Sequence, residues 1–432
     1  MPFQMEGARI LADHKRLMLA DPMGAGKTCQ LIRAADLVHA KRVFVPCPAI
    51  GRVNWRREFD RWGLVVPEFM CESYETLATN KDARRRFREF KPDVVMPDEA
   101  HYLKSREAKR TQMLYGMHCH NNGLFEKVPY IWPTTGTPWL NDITELWPHL
   151  RALWPHLISR NGEPMGLYQF AAEYTQFDID RYGKLKVLSN KRDRVEELRR
   201  LVRKIMLRRK LADILPDLPP MMWNEYPIEA DRLPPALLAL ADHPDIAMFR
   251  ALVDAAQGDD DVRLELDDEP VALATMRRLI GTVKAPLVAS LVADELANHA
   301  YDKIILFAWH SDVLDILRNA LIDFHPCVIR GGQTDRYRQE QIDNFQGNRL
   351  HRVALVQIMA GYHTITLHAA AQVGFVEKAW TPDINAQAAK RAHRYGQKRP
   401  VNVRSFGLVG TLDDGLNRVL VRKAKNTLEL LD

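Results

Sequence analysis

Long apolar runs, a cysteine framework and a strong excess of either charge are all missing from this chain of 432 residues. Charged residues interrupt every apolar stretch, so no segment approaches the roughly 20 apolar residues of a membrane-crossing helix. The opening run MPFQMEGARI lacks the apolar core of a secretory signal. The five cysteines, Cys29, Cys47, Cys71, Cys119 and Cys327, are scattered, odd in number and without a CxxC pair, which excludes a disulfide framework and fits a reducing compartment. His118-Cys119-His120 invites a metal reading, but adjacent residues rarely ligate one tetrahedral ion and no second cluster completes the set. There is no short-period repeat and no low-complexity tail. These absences point to a cytosolic globular protein without a membrane segment.

The charge that is present is mildly basic, with 61 Lys and Arg against 55 Asp and Glu, a formal +6. Its distribution says more than its sum. KRDRVEELRRLVRKIMLRRK, 191–210, carries ten basic and three acidic residues, and DARRRFREFK, 82–91, forms a second cluster. Such segments serve as solvated faces as readily as nucleic-acid surfaces. GDDDVRLELDDEP, 258–270, is an acidic loop or linker.

The length suits two or three domains, and an apolar share of 46% is ordinary for buried cores. RLMLA (16–20), RVFVPCP (42–48), PDVVMPDEA (92–100) and YIWPTTGTP (130–138) read as strands alternating with helices such as CQLIRAADLVHA (29–40). A second alternating set follows: KIILFAW (303–309), PCVIRGG (326–332), VALVQIM (353–359), QVGFVEKAW (372–380) and VNVRSFGL (401–408). ILPDLPPMMWNEYP (214–227) is extended, 271–296 reads as one or two helices, and 412–431 as a closing helix. The expected fold class is α/β, with two doubly wound parallel-sheet lobes. The first lobe is placed at 1–225 with a helical insertion at about 142–210, a connector at 226–270, and the second lobe at 271–432.

Three motifs carry chemistry. In DPMGAGKT, 21–28, Gly24 and Gly26 let backbone N–H groups face a phosphate, Lys27 can reach terminal phosphates, and the Thr28 hydroxyl can ligate Mg²⁺. A strict P-loop has glycine where this chain has Asp21, so the match is to the GxGKT core. In the DEAH box, 98–101, Asp98 suits a Mg²⁺ ion that takes few carboxylates, and Glu99 is placed to polarise an attacking water. Arg391 and Arg394 lie three apart on the helix suggested by DINAQAAKRAHRYGQ, and an arginine neutralises charge that grows on a transferring phosphoryl group. Each motif alone has a plain counterpart: a tight turn, a helix-capping acidic pair, a basic exposed helix. Their order and wide separation make a nucleotide-driven motor the better account.

The surrounding residues make the likeness specific. Pro2 to Gly7 is similar to a PYQxxG-like start, DPMGAGKT to DEMGLGKT, and Thr135-Gly136-Thr137-Pro138-Trp139-Leu140-Asn141 to LxTGTPxxN. Gln387 to Gln397 is similar to QAxxRxHRxGQ, and RRKLADILPDLPP (208–220) to the stretch before the lobe connector. On these motifs, which span nearly the whole chain, it resembles the Swi/Snf-type ATPase core of helicase superfamily two. The resemblance implies two RecA-like lobes and a DNA-stimulated ATPase that translocates on double-stranded DNA with ATP and Mg²⁺. Gln4 would read adenine. Asp21, Met23, Gly24, Ala25, Gly26, Lys27, Thr28, Cys29 and Gln387 would surround ATP. Thr28 and Asp98 would hold the metal. Lys27, Asp98, Glu99, Arg391 and Arg394 would do the chemistry, at a cleft between the lobes. DNA would touch Asn54, Trp55, Tyr74, Thr137 and Asn141 in the first lobe, and Arg330, Gly331, Gly332, Thr334, Gly361 and His363 in the second. Trp55, Trp62 and Trp139 suit base stacking or, as tryptophans more often do, a core.

The chain departs from the family at Pro22, at Leu140 and at Tyr362-His363-Thr364, where a glycine-rich turn is usual and positive φ comes less readily. Its short ends suggest a minimal, monomeric motor of a bacterial cell or phage-infected host, targeted by DNA structure or a protein partner. The rival readings are a strand-separating DNA or RNA helicase and a non-catalytic DNA-binding or annealing module.

Overall fold

The run around Leu17 becomes a two-residue strand because both sheet faces above it are covered: Met18 and Leu19 are wholly buried. The computed structural model describes residues 1–49, 51–63, 68–117, 123–136, 138, 142–179, 183, 185–258, 270–361, 365–380 and 382–420. They divide into two units, Met1–Ile214 and Leu215–Asp432.

In the first unit the strands are β1 (Met18–Leu19), β2 (Arg42–Cys47), β3 (Glu68–Ser73), β4 (Val94–Val95), β5 (Tyr130–Ile131) and β6 (Met206–Leu207). β3, β2, β4 and β5 are parallel neighbours in that order. β5 continues to β1 through parallel bridges Arg16↔Ile131 and Leu19↔Thr134, and β1 pairs in parallel with β6. The phosphate loop follows β1, the TGT element follows β5 and the DEAH box follows β4. Three motifs scattered over more than a hundred residues thus sit at the carboxyl ends of three adjacent strands.

Helices α1 (Pro2–Ala12), α2 (Lys27–Leu37) and α3 (Gly51–Trp62) contribute to one apolar cluster, with Leu11, Leu31, Ile32, Val43, Trp55, Phe59 and Trp132. The other cluster holds Met18, Phe44, Tyr74, Phe87, Phe125, Trp147, Phe170 and Ile205. Residues 142–210 were expected to be helical. They contain short helices, but also two antiparallel hairpins, Ser159–Arg160 with Glu163–Pro164 and Thr175–Ile179 with Leu185–Asn190. Their last segment is β6, which returns the chain to the edge of the sheet beside β1.

The second unit holds β7 (Met221–Ile228), β8 (Ile304–Ala308), β9 (Cys327–Ile329), β10 (Val353–Gln357), β11 (Gln372–Phe375) and β12 (Val401–Leu408). The order is β7-β12-β11-β8-β10-β9, parallel throughout. β7 pairs with β12 from Met221↔Val401 to Ile228↔Leu408, so the proline-punctuated stretch belongs to this unit from Leu215 onward. Within 226–270, the helices Pro235–Ala241 and Pro244–Gly258 bury Leu237, Ile246, Phe249 and Val253 in the same cluster as Leu273 and Val288. Val271–Ala297 is one helix, with Pro286 inside it. Among the described residues no helix is long and apolar enough to cross a membrane.

Candidate functional site

The phosphate loop has the backbone its glycines predict. Gly24 and Gly26 have φ of +87° and +68°, and Gly26 is the residue that caps α2. A Cβ on Gly26 would run into the amide of Gln4, so the Gln4 side chain lies directly against the loop. The Lys27 ammonium donates to the carbonyls of Asp21 (3.0 Å) and Pro22 (3.3 Å), across the loop it follows. Met23, Ala25 and Cys29 are buried, so what they can offer a nucleotide is backbone; Gly24, Gly26, Lys27 and Thr28 keep partial exposure.

Asp21 requires a correction. Expected against ATP, its carboxylate is fully buried behind the loop. Oδ1 accepts from the Arg209 backbone N–H (3.1 Å) and Nε (3.2 Å), and Oδ2 from Arg209 Nη2 and from Gln30 Nε2 (3.1 Å). Arg209 also donates to the Phe3 carbonyl (2.7 Å) and Gln30 Oε1 (2.7 Å). This single guanidinium therefore ties α1, the phosphate loop and α2 together. It can do so because it follows β6, which pairs beside β1. Neighbouring Arg208 donates to the carbonyls of Ala20 (3.1 Å) and Gly136 (3.4 Å).

The DEAH box ends β4. The Asp98 carboxylate accepts from the Trp55 indole N–H (2.7 Å) and the Glu99 backbone N–H (3.0 Å), while its carbonyl accepts from the Tyr74 hydroxyl (2.7 Å). Burial, and then the neighbouring Glu99 charge, push the Asp98 carboxyl up to about 7. Glu99 has φ +49°, a conformation that costs a long side chain energy and that is found where a site demands it. His101 Nδ1 lies 3.4 Å from Glu99 Oε2 and 3.2 Å from Thr135 Oγ1, and burial holds its pKa below the usual histidine range.

The TGT element stitches the other two motifs together. Thr134 donates through its hydroxyl to the Leu19 carbonyl (3.1 Å) and through its N–H to Pro97 (2.8 Å), and accepts from Ala100 N–H (2.9 Å). A Cβ on Gly136 would stand 2.7 Å from Met23 Cγ, so glycine is what lets this element approach the phosphate loop.

Two expected DNA contacts are corrected here. Trp55 is 1% exposed and Tyr74 0%; both point inward and hold Asp98. The i, i+4 spacing of Trp55 and Phe59 in RVNWRREFDRW was the available sign of a core face. Asn54 on α3 is half-exposed. Thr137, Trp139, Leu140, Asn141 and His363 lie outside the described residues, as do Cys119, the acidic stretch 259–269 and the 362–364 departure. Cys29, Cys47, Cys71 and Cys327 are free thiols.

In the second unit the helix carrying Gln387 is Pro382–Ala389. It stops short of Arg391 and Arg394, which were expected on its face: Arg391 N–H donates to Ala388 O (3.1 Å) and Leu367 N–H to Arg391 O (2.9 Å), a turn rather than a helix. Gln397 Nε2 donates to the carbonyls of His368 (3.1 Å) and Ala370 (2.9 Å), and His393 Nε2 meets Pro219 O at 2.6 Å. The last residues of QAAKRAHRYGQ thus set the turn on which the arginines sit. Arg394 Nη1 donates to Thr366 Oγ1 (2.9 Å). Gly331, Gly332 and Thr334 are exposed around the turn after β9, where Thr334 caps the next helix and Arg330 pairs with Asp315 (3.0 Å); Gly361 ends the short helix Ile358–Gly361.

The SNF2-related domain matches residues 65–226, and the helicase conserved C-terminal domain matches 287–396. The chain thus carries an SNF2-related domain and a helicase conserved C-terminal domain. Its phosphate loop lies upstream of the first matched stretch. Its curated relatives include the DNA annealing helicase and endonuclease ZRANB3 of Mus musculus, 28% identical over 99% of this chain and 40% of that protein. Another is the Caenorhabditis elegans homologue of SWI/SNF-related matrix-associated actin-dependent regulator of chromatin subfamily A-like protein 1, 26% identical over 98% of this chain and 60% of that protein. The chain thus spans roughly half the length of these relatives. The Sulfolobus solfataricus SWI2/SNF2 ATPase core in complex with dsDNA aligns over 99% of this chain and 94% of its own, at 20% identity and a TM-score of 0.40.

Proposed function

We propose that the chain is an ATP-hydrolysing motor that moves on double-stranded DNA. The observation that carries this is the meeting of the phosphate loop, the TGT element and the DEAH box on adjacent strand ends, joined by Thr134. The residues fit a magnesium nucleotide. The loop offers backbone N–H groups at two left-handed glycines, Lys27 and Thr28 are partly open, and Asp98 is an oriented carboxylate.

Thr28 and Asp98 would hold the ion, which when bound neutralises phosphate charge. The loop and Lys27 grip the phosphates, and Gln4 reads adenine. Glu99 takes the proton from the attacking water. By the motif they match, Gln387 belongs to nucleotide binding, and Arg391 and Arg394 neutralise the charge that develops as the phosphoryl group transfers. DNA contact falls to the exposed arginines of α3, with Asn54, and to the 330–334 turn. Such contacts are mostly to phosphates, so binding is salt-sensitive and weakly sequence-specific.

ATP turnover measured with forked, gapped, linear and single-stranded DNA tests this. Turnover is expected to rise with duplex; turnover indifferent to every nucleic acid would sink the motor reading. A second reading, strand annealing, draws on the activity for which the mouse relative is named, and pairing of complementary strands driven by ATP distinguishes it from displacement.

A further inference from the structure

The metal-side carboxylate is held by two residues that the family resemblance assigns to DNA. Trp55 is buried on the inner face of α3, and its indole N–H reaches Asp98 Oδ2 at 2.7 Å. Tyr74 is fully buried just beyond β3, and its hydroxyl reaches the Asp98 carbonyl at 2.7 Å. The same helix α3 turns Arg52, Arg56 and Arg57 outward. A hydrogen bond from a neutral donor to a carboxylate fixes the rotamer of the acceptor, and a fully packed indole moves only with its helix.

We propose that Trp55 is a positioning residue that ties the orientation of Asp98 to the placement of α3, so that duplex phosphates drawn to the outer face of α3 are felt at the magnesium carboxylate. The proposal rests on the motor reading for its DNA arm and on geometry alone for its metal arm. Tyr74 anchors the backbone of Asp98, so a small displacement of α3 rotates the carboxylate instead of shifting the whole strand end.

Trp55→Phe keeps the ring and removes the donor. Trp132→Phe is the control: Trp132 is buried in the same cluster, and its indole donates to the His14 carbonyl at 2.8 Å. Binding of a fluorescent ADP is measured with and without magnesium, alongside duplex affinity, duplex stimulation of turnover and thermal unfolding. In Trp55→Phe the magnesium-dependent gain in ADP affinity falls about tenfold, the conversion of one hydrogen bond to a charged group. Duplex stimulation falls toward one, and duplex affinity and metal-free ADP binding stay at wild-type values. Trp132→Phe lowers the unfolding temperature comparably and leaves the magnesium effect intact. Equal magnesium effects in the two variants overturn the proposal. If Trp55→Phe does not fold, the indole N–H resonance of Trp55 in the wild-type chain decides: it shifts when magnesium ADP is added and again when duplex is added, and an unmoved resonance overturns the proposal. A wild-type chain that no nucleic acid stimulates refutes the motor reading, and the ADP measurement then judges Trp55 by itself.

Discussion

Arg209 closes a forked ion pair on Asp21, nearly two hundred residues away in sequence, and through it fastens the back of the phosphate loop. Asp21 is fully buried, and Arg209 is its ion-pair partner. Arg209→Ala should cost the first unit about 3–5 kcal/mol, the penalty for a buried charge left unpaired. Urea denaturation measures it, and Asp21→Asn combined with Arg209→Met should recover part of the loss because neither charge then remains.

Glu99→Gln keeps the shape of the side chain and removes the base proposed to activate water. Turnover should fall by two or more orders of magnitude, roughly the contribution of general base catalysis. Affinity for ATP, read by fluorescence, should stay within about threefold of wild type, since Glu99 is not asked to bind phosphate.

Gly136→Ala places a methyl 2.7 Å from Met23 Cγ, in the middle of a buried side chain that cannot swing clear. Relief must come from the phosphate loop, at about 1–3 kcal/mol of overpacking strain. Nucleotide affinity should drop by roughly tenfold or more while the melting profile of the second unit stays unchanged.

In the second unit, burial pulls the Lys378 ammonium down to about 7, although Asp413 opposes the shift. Its neighbours are Asn417 Oδ1 (2.7 Å), the Phe406 carbonyl (3.2 Å), Asp413 Oδ1 (3.7 Å) and Lys284, which itself pairs with Asp413 at 2.5 Å. The unfolded lysine titrates near 10.4. Between the two values the unfolded chain binds a proton that the folded chain has released, so stability rises with pH. The penalty is fully present below about 7 and fades toward 10. The urea midpoint should therefore climb from pH 7 to pH 9, and Lys378→Met should flatten that slope.

Replacing Arg56 and Arg57 by alanine tests the DNA face proposed for the first unit. Both are exposed on α3, opposite Trp55. Duplex affinity should weaken equally for unrelated sequences. The dependence of log K on log salt should flatten by about one for each phosphate that is no longer neutralised. Anisotropy titrations at several salt concentrations measure both.

Much of the fold was legible because parallel strands buried on both faces are written as apolar runs. RVFVPCP, KIILFAW, VALVQIM and VNVRSFGL are strands where their sequences say so. The strand Glu68–Ser73 was not legible: EFMCES has a half-exposed, mixed composition at the sheet edge. The hairpins within 142–210 were hidden by the basic, leucine-rich helix Val195–Ile205 that follows them. Arg391 and Arg394 looked helical because alanines precede them; the hydrogen bonds of Gln397 and His393 shape the chain into a turn instead.

At the site, the local backbone was set by sequence alone. Glycines at 24 and 26 dictate a left-handed loop, and Lys27 must then open the helix. The identities of Asp98 and Glu99 as the acidic pair at a strand end were equally local. The partners of these groups were not. Asp21 was assigned to ATP and Trp55 and Tyr74 to DNA because a motif names a residue without saying which way its side chain turns. Direction is decided by what packs behind: β6 brings Arg209 up to Asp21, and α3 and the end of β3 bring Trp55 and Tyr74 onto Asp98. Backbone conformation depends on neighbours one or two residues away, which a sequence displays. The pairing of a buried charge depends on strands brought together from distant parts of the chain, and only the tertiary structure settles that.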